Sequence, residues 1–217
     1  EMPGQEEKEI SVLGFDKRCI GHYKWYKNHH KMLVMSEYSG ITLSKEYVNE
    51  YPELAETLKQ TYTMMKNSME DEKDNLISMA KENFKKNKKK FKTFVSLLDA
   101  NVRRADSTAV CFINDSYADY GRINEVRVVN GSSFDTVTGE RLMLSDVISD
   151  MESVPAQVEK ELLRHMCEGD FISETAVSDY FRDTPEDGIR WTLDYNGVTF
   201  YFTPGEIAKS EWGSLSV

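Results

Sequence analysis

Trp191-Thr-Leu-Asp-Tyr-Asn-Gly-Val-Thr-Phe-Tyr-Phe-Thr-Pro204 places five aromatic rings around a single Asn196-Gly197 pair. Asn-Gly between two runs of β-formers is a strong hairpin signal, because both residues tolerate positive φ in a type I′ turn. A two-residue loop on that pair sets Tyr195 opposite Val198, Leu193 opposite Phe200 and Trp191 opposite Phe202. Strand alternation then sends these six side chains to one face. Thr192, Asp194, Thr199 and Tyr201 fall on the other, which reads as the wetter face. The stretch is therefore expected to wall a core and not to form an aromatic binding platform.

Upstream, the chain alternates between strand and helix character. His22–Lys27 and Lys31–Tyr38 are rich in aromatic and aliphatic residues, and the polar link Asn28-His29-His30 predicts a hairpin between them. From Tyr51 the period changes: Leu54, Leu58, Tyr62, Met65, Met69, Leu76, Met79, Ala80 and Phe84 recur at helical spacing, with Pro52 in the first turn. Such a helix of about 35–40 residues would be roughly 55 Å long, so a break is expected near Asp71–Asp74. Lys85–Lys90 reads as a solvated helix end, where cations meet the negative end of the dipole.

After the helix, three strands are expected: one over residues 94–102, one at Thr108–Ile113 and one at Ile123–Val129. Loops should join them, among them the tyrosine-bearing Asn114–Gly121. Thr138-Gly139-Glu140 predicts a turn. Two short helices follow, the first capped by Ser145 and the second, carrying Val154, Val158, Leu162, Leu163 and Met166, ended by Gly169. The expected fold class is α+β: mainly antiparallel sheet, one long helix packed on it, and short helices before a C-terminal hairpin. Two lobes are expected, 9–105 and 106–217, forming one compact unit.

The chain has 217 residues and a net charge of −10. An acidic surface excludes nucleic acid as an expected partner, since phosphate binding needs clustered cations, but it can steer a cationic one. No apolar run is long enough to span a bilayer. Cys19, Cys111 and Cys167 contain no CxxC pair, and three buried thiols are favoured over one disulfide plus a free thiol. His22, His29, His30 and His165 read as surface and turn residues, and the carboxylates of Asp179–Asp187 as a polar loop. No phosphate loop, dinucleotide fingerprint, serine elbow or zinc motif is present. Neither an enzyme nor a cofactor or metal site is expected.

Ser133-Phe-Asp-Thr-Val-Thr-Gly-Glu-Arg-Leu-Met-Leu-Ser-Asp-Val-Ile148, together with Trp191–Ala208, resembles the extracytoplasmic domain of RsiV-type anti-sigma factors. That domain of unknown function also occurs in secreted and lipoprotein-like bacterial proteins. The upstream half, through its pattern of strands, Tyr-Pro-Glu-Leu at 51–54 and a long helix, resembles the accessory domain found in PdaC-type peptidoglycan deacetylases. Gly205, Lys209-Ser210 and the Asp115–Gly121 segment depart from the RsiV-type pattern. The resemblance implies an exported or envelope-anchored, non-catalytic binding domain, with any anchor outside this chain. Its expected partner is a cationic protein such as lysozyme or a cell-wall glycan. The alternatives are an accessory domain in polysaccharide processing and a purely structural envelope domain. Loop position nominates Asp115, Tyr117, Asp119, Tyr120 and Trp212 for the ligand surface, with Trp25 read as core.

Overall fold

The computed structural model describes residues 12–27, 30–121 and 125–217. The acidic opening, Asn28, His29 and the start of the strand expected from Ile123 lie outside these residues. The chain is α+β. Strands β1 (Phe15–Tyr26) and β2 (Lys31–Leu43) pair antiparallel, and helix α1 (Pro52–Lys86) returns the chain to β3 (Phe94–Ala105), which pairs parallel to β2. Strands β4 (Ala109–Asp119) and β5 (Val126–Asp135) complete an antiparallel meander, giving one five-stranded sheet in the order β1-β2-β3-β4-β5. Helices α2 (Leu144–Val147), α3 (Val154–Leu162) and α4 (Ala176–Asp183) precede a three-stranded sheet of β6 (Trp191–Asp194), β7 (Gly197–Phe202) and β8 (Leu215–Ser216).

Helix α1 runs without the expected break. Asp71–Asp74 contains neither glycine nor proline, and Lys73 bonds Glu70 one turn earlier at 2.7 Å. Met69 and Leu76, both buried, stand seven residues apart and carry the apolar stripe straight through the charged stretch. Such length is accommodated because β1 and β2 are themselves 12 and 13 residues long. One end of the stripe, Leu54 and Leu58, packs with Ile41, Leu43, Val110, Phe112 and Phe134. The other end, Leu76, Ala80 and Phe84, packs with Leu33, Val34, Phe91 and Phe94.

Two local expectations change. The first short helix is capped by Asp146, whose carboxylate accepts the Met143 N–H at 2.7 Å, and Ser145 lies inside the helix. The second ends at Leu162, so Gly169 sits in a separate turn at Glu168–Asp170. Cys19 and Cys167 are exposed and only Cys111 is buried, against the expectation of three buried thiols.

The closing hairpin forms, with its register moved by two. Trp191 pairs with Phe200 and Leu193 with Val198, so the turn residues are Tyr195 and Asn196. Neither has positive φ, which excludes the expected type I′ turn; Gly197 takes φ +141° at the fourth position. A reason lies at the tip: the Tyr195 hydroxyl accepts the Ala105 N–H at 3.2 Å, and Arg104 lies over its ring. A shift of two preserves strand parity, so Trp191, Phe200 and Phe202 still face one core, with Val158, Leu162, Tyr180 and Ile207. Tyr180 meets Phe202 edge-on at 5.1 Å, and Phe181 meets Phe200 at 5.3 Å.

The face expected to be wet is not wet. Thr192 is 0% and Tyr201 6% exposed, because this face lies on the five-stranded sheet. A Cβ on Gly131 of β5 would overlap the Trp191 carbonyl, so glycine is what allows the two layers to meet. The polar groups are satisfied across the seam. Arg103 grips Asp194 through Nε at 3.3 Å and Nη2 at 2.6 Å; Thr199 donates to Asp194 at 2.8 Å; Thr192 and Tyr201 share a hydrogen bond of 2.9 Å. Nearby, Asp106 accepts from Thr108 N, Ala109 N and Arg104 Nε.

Replacing Gly131 by Ala should therefore cost at least about 2 kcal/mol, the overpacking penalty, in urea unfolding. Gly169→Ala, whose Cβ meets nothing within 4 Å, should stay within about 0.5 kcal/mol. A neutral Gly131→Ala would show that the layers are not in contact. Burial would raise the pKa of Asp106 and Asp194, but the hydrogen bonds just named outweigh it and both are lowered. Carboxylates depressed in the folded state stabilise it above their unfolded pKa and lose that contribution as pH falls through the folded value. Stability should thus decline between about pH 5 and pH 2, with a shallower slope in Asp194→Asn. An unchanged slope in that variant would contradict the network.

Candidate functional site

The five-stranded sheet has α1 on one face, and the hairpin covers only part of the other. Register shows what stays uncovered. Gly21, Glu37, Leu97, Tyr117 and Arg127 form one row across all five strands. Asp99, Asp115 and Val129 form part of the next row. Against the β3–β5 part of this surface, the segment after β7 supplies Pro204 and Ser210. The result is a groove of about 750 Å³ lined by Leu97, Asp99, Asp115, Tyr117, Glu125, Arg127, Pro204 and Ser210.

Strand alternation places these side chains. Residues 97, 99, 115 and 117 point into the groove, while Phe94, Ala100 and Phe112 point to the cores beneath α1. The segment Asn114–Asp119, expected as a loop, is strand, with Asp115 opposite Asp99 and Tyr117 opposite Leu97. Small Ser116 and Ala118 carry no apolar signal between the polar residues, which is why the segment reads as a loop.

Of the five nominated residues, Asp115 and Tyr117 are brought together in the groove. Asp119 turns its carboxylate to the Gly121 N–H at 2.7 Å. Tyr120 packs its ring 5.8 Å from that of Phe94, beside the core under α1. Trp212, 39% exposed, belongs to the one-turn helix Ser210–Trp212, whose first residue lines the groove. Leu97, Asp99, Glu125, Arg127, Pro204 and Ser210 were not nominated. They come from three separated segments, and only strand pairing and the path of the chain after β7 assemble them. Trp25, read as core, is exposed at 37%, which overturns that reading.

The charges in the groove are ordered in pairs. Asp99 accepts Lys17 Nζ at 2.6 Å, Ser39 Oγ at 2.7 Å and Asn101 Nδ2 at 3.0 Å. Partial burial works to raise its pKa, but these donors prevail and lower it. Arg127 grips Asp115 with both Nε, at 2.9 Å, and Nη2, and this bidentate bond holds its own pKa up. Desolvation and then a hydrogen bond to Glu125 raise the Tyr117 phenol. Asp99 and Asp115 each hold a cation already, whereas among the described residues Glu125 meets the Tyr117 hydroxyl and no cation. Among the described residues, neither histidine nor cysteine lines the groove. Cys111 is buried away from it, and burial pushes its thiol pKa up. What the arrangement offers is oriented negative charge beside an aromatic ring.

Elsewhere, His22 Nε2 lies 2.9 Å from Glu70 on α1, and no cluster of metal-ligating side chains occurs among the described residues. Nor is any described helix long and apolar enough to cross a membrane. A second depression of about 470 Å³ between α3 and β7 has Val154, Val158, Val198 and Phe200 in its lining.

No protein-family model matches the chain, and no curated protein matches it. Solved structures do. A DUF3298 family member from Bacteroides fragilis matches with a TM-score of 0.64 at 13% identity, over 96% of this chain and 91% of that one. A DUF3298 family protein from Pseudomonas aeruginosa matches with a TM-score of 0.60 at 12% identity, over 96% and 90%. At such identities the likeness is one of fold, and it spans nearly the whole of each molecule: this chain folds as the DUF3298 proteins do.

Proposed function

We propose that this chain is a non-catalytic binding domain, working outside the cytoplasm, that receives a cationic protein on the uncovered half of its sheet. The observation that carries this reading is the groove itself, where three carboxylates meet one arginine that is already engaged by Asp115. The net charge of −10 supports it, since long-range attraction raises encounter rates with a cation. The motif resemblance to RsiV-type anti-sigma factors points to lysozyme as the first partner to try. It also supplies the extracytoplasmic location and the expectation of an anchor beyond this chain.

A cell-wall glycan is the second reading, favoured by exposed Trp212 beside the groove, because aromatic rings stack on sugars. It corresponds to an accessory role of the kind the PdaC-type resemblance suggests.

Calorimetry against a panel of lysozymes and a panel of peptidoglycan fragments separates the two. The first reading expects lysozyme binding whose Kd rises at least about threefold when salt goes from about 50 to 150 mM, as the Debye length shortens. Glu125→Lys should weaken it about tenfold, or about 1.4 kcal/mol. Glycan binding that is insensitive to salt would favour the second reading. Silence from both panels would leave a structural domain.

A further inference from the structure

The uncovered face extends past the groove to β1, and a second feature there matches the first. Tyr23 is 52% exposed, yet its ring is held flat. It lies back along the strand over Gly21, where a Cβ would stand 2.8 Å from the phenol oxygen, and its hydroxyl donates to Glu37. Glu37 is the residue directly opposite Gly21 on β2. The glycine thus leaves the bed in which the ring rests, and the carboxylate tethers its far end. Among the described residues no cation lies over this ring.

The acids of the face then sort into two kinds. Asp99 and Asp115 are neutralised by Lys17 and Arg127. Among the described residues, Glu37 and Glu125 meet tyrosine hydroxyls, those of Tyr23 and Tyr117, and no cation. Each of the latter pairs sets an uncompensated carboxylate beside an aromatic ring. A phenol that donates toward a carboxylate takes on some phenolate character, which enriches its ring and improves it as a seat for a cation. Gly21 and Tyr117 lie in the same row, three strands apart, so the two pairs are about 14 Å apart at about 4.8 Å per strand.

We propose that this face is a two-point receptor for a cationic segment: one guanidinium or ammonium seats on Tyr23 beside Glu37, and a second beside Tyr117 and Glu125. The proposal rests on the cationic-partner reading and specifies its chemistry. An extended segment advances about 3.3 Å per residue, so cations four residues apart, about 13 Å, span the two seats. The neutral pairs Asp99–Lys17 and Asp115–Arg127 flank them and disfavour a third cation.

The test uses the whole chain with three capped peptides: Arg-Gly-Ser-Gly-Arg, the same peptide with one arginine replaced by alanine, and the same peptide with both arginines replaced by citrulline. The two-arginine peptide should bind at least about tenfold tighter than the one-arginine peptide, because the second seat acts within one complex. The citrulline peptide should not bind, and the ring resonances of Tyr23 and Tyr117 should move together on titration. Tyr23→Leu should reduce the two-arginine peptide to one-arginine affinity. Tyr23→Phe, which keeps the ring and loses the tether, should give a severalfold loss while leaving the spectrum otherwise native. Equal binding of the one- and two-arginine peptides, or full binding to Tyr23→Leu, would overturn the receptor. Lysozyme binding that persists alongside such a failure would leave the binding-domain reading standing. Peptide discrimination without lysozyme binding would keep the receptor and remove that partner.

Discussion

The molecule depends on how closely the closing hairpin can approach the large sheet. At Gly131 the Trp191 carbonyl stands where a side chain would otherwise be. Backbone meets backbone there, and the polar side chains around the contact must then find partners within the seam or lose their hydration. Arg103, Asp194, Thr192, Thr199 and Tyr201 do so. Arg103 and Asp194 are partly solvated, so their pair contributes on the order of 1 kcal/mol at most. Its value lies in setting where the hairpin sits. Stability comes from the apolar clusters on either side, around α1 and around the α3–α4–β7 core.

That placement creates the candidate site by leaving something out. Helix α1 lies along the long strands and covers one face of the sheet over β2. The hairpin hides the other face only where Gly131, Ser133 and Arg103 receive it, as the Leu193 N–H shows by bonding Ser133 Oγ at 3.4 Å. The remainder of that face must tolerate water, which is why it carries Glu37, Asp99, Asp115 and Arg127, while Ser36, Tyr38 and Ala100 on the opposite side of β2 and β3 are buried. The segment after β7 runs back past this surface and turns an open face into a groove.

Much of the architecture is legible from residue periods. The long helix follows from its stripe, and a shift of two keeps Trp191, Phe200 and Phe202 on the apolar face, while Tyr195 moves into the turn and meets Ala105 and Arg104 of the sheet. Two of the differences share a cause, which is that polarity does not mean exposure. Thr192 and Tyr201 are polar and buried, since their partners lie in another layer of the fold. Asp115 and Tyr117 are polar and on a strand, since their apolar complement is replaced by Ser116 and Ala118. The groove as a whole was beyond reach because Asp99, Asp115, Glu125 and Ser210 meet only through pairings between segments far apart in sequence. Asp115 and Tyr117 line the groove from a strand and not from the loop position that pointed to them, while Tyr120 packs beside Phe94.

Native-state amide hydrogen exchange tests most directly whether hairpin and sheet form one structural unit. The informative amides are Ala105, which donates to Tyr195 Oη across the seam, and Leu193, which donates to Ser133 Oγ. If the seam holds as described, both should open only with the β4 strand, at free energies within about 1 kcal/mol of the global value. Exchange of these two amides several kcal/mol below the β4 amides would mean that the hairpin lifts off on its own, and that the groove beside it is not a standing feature of the fold.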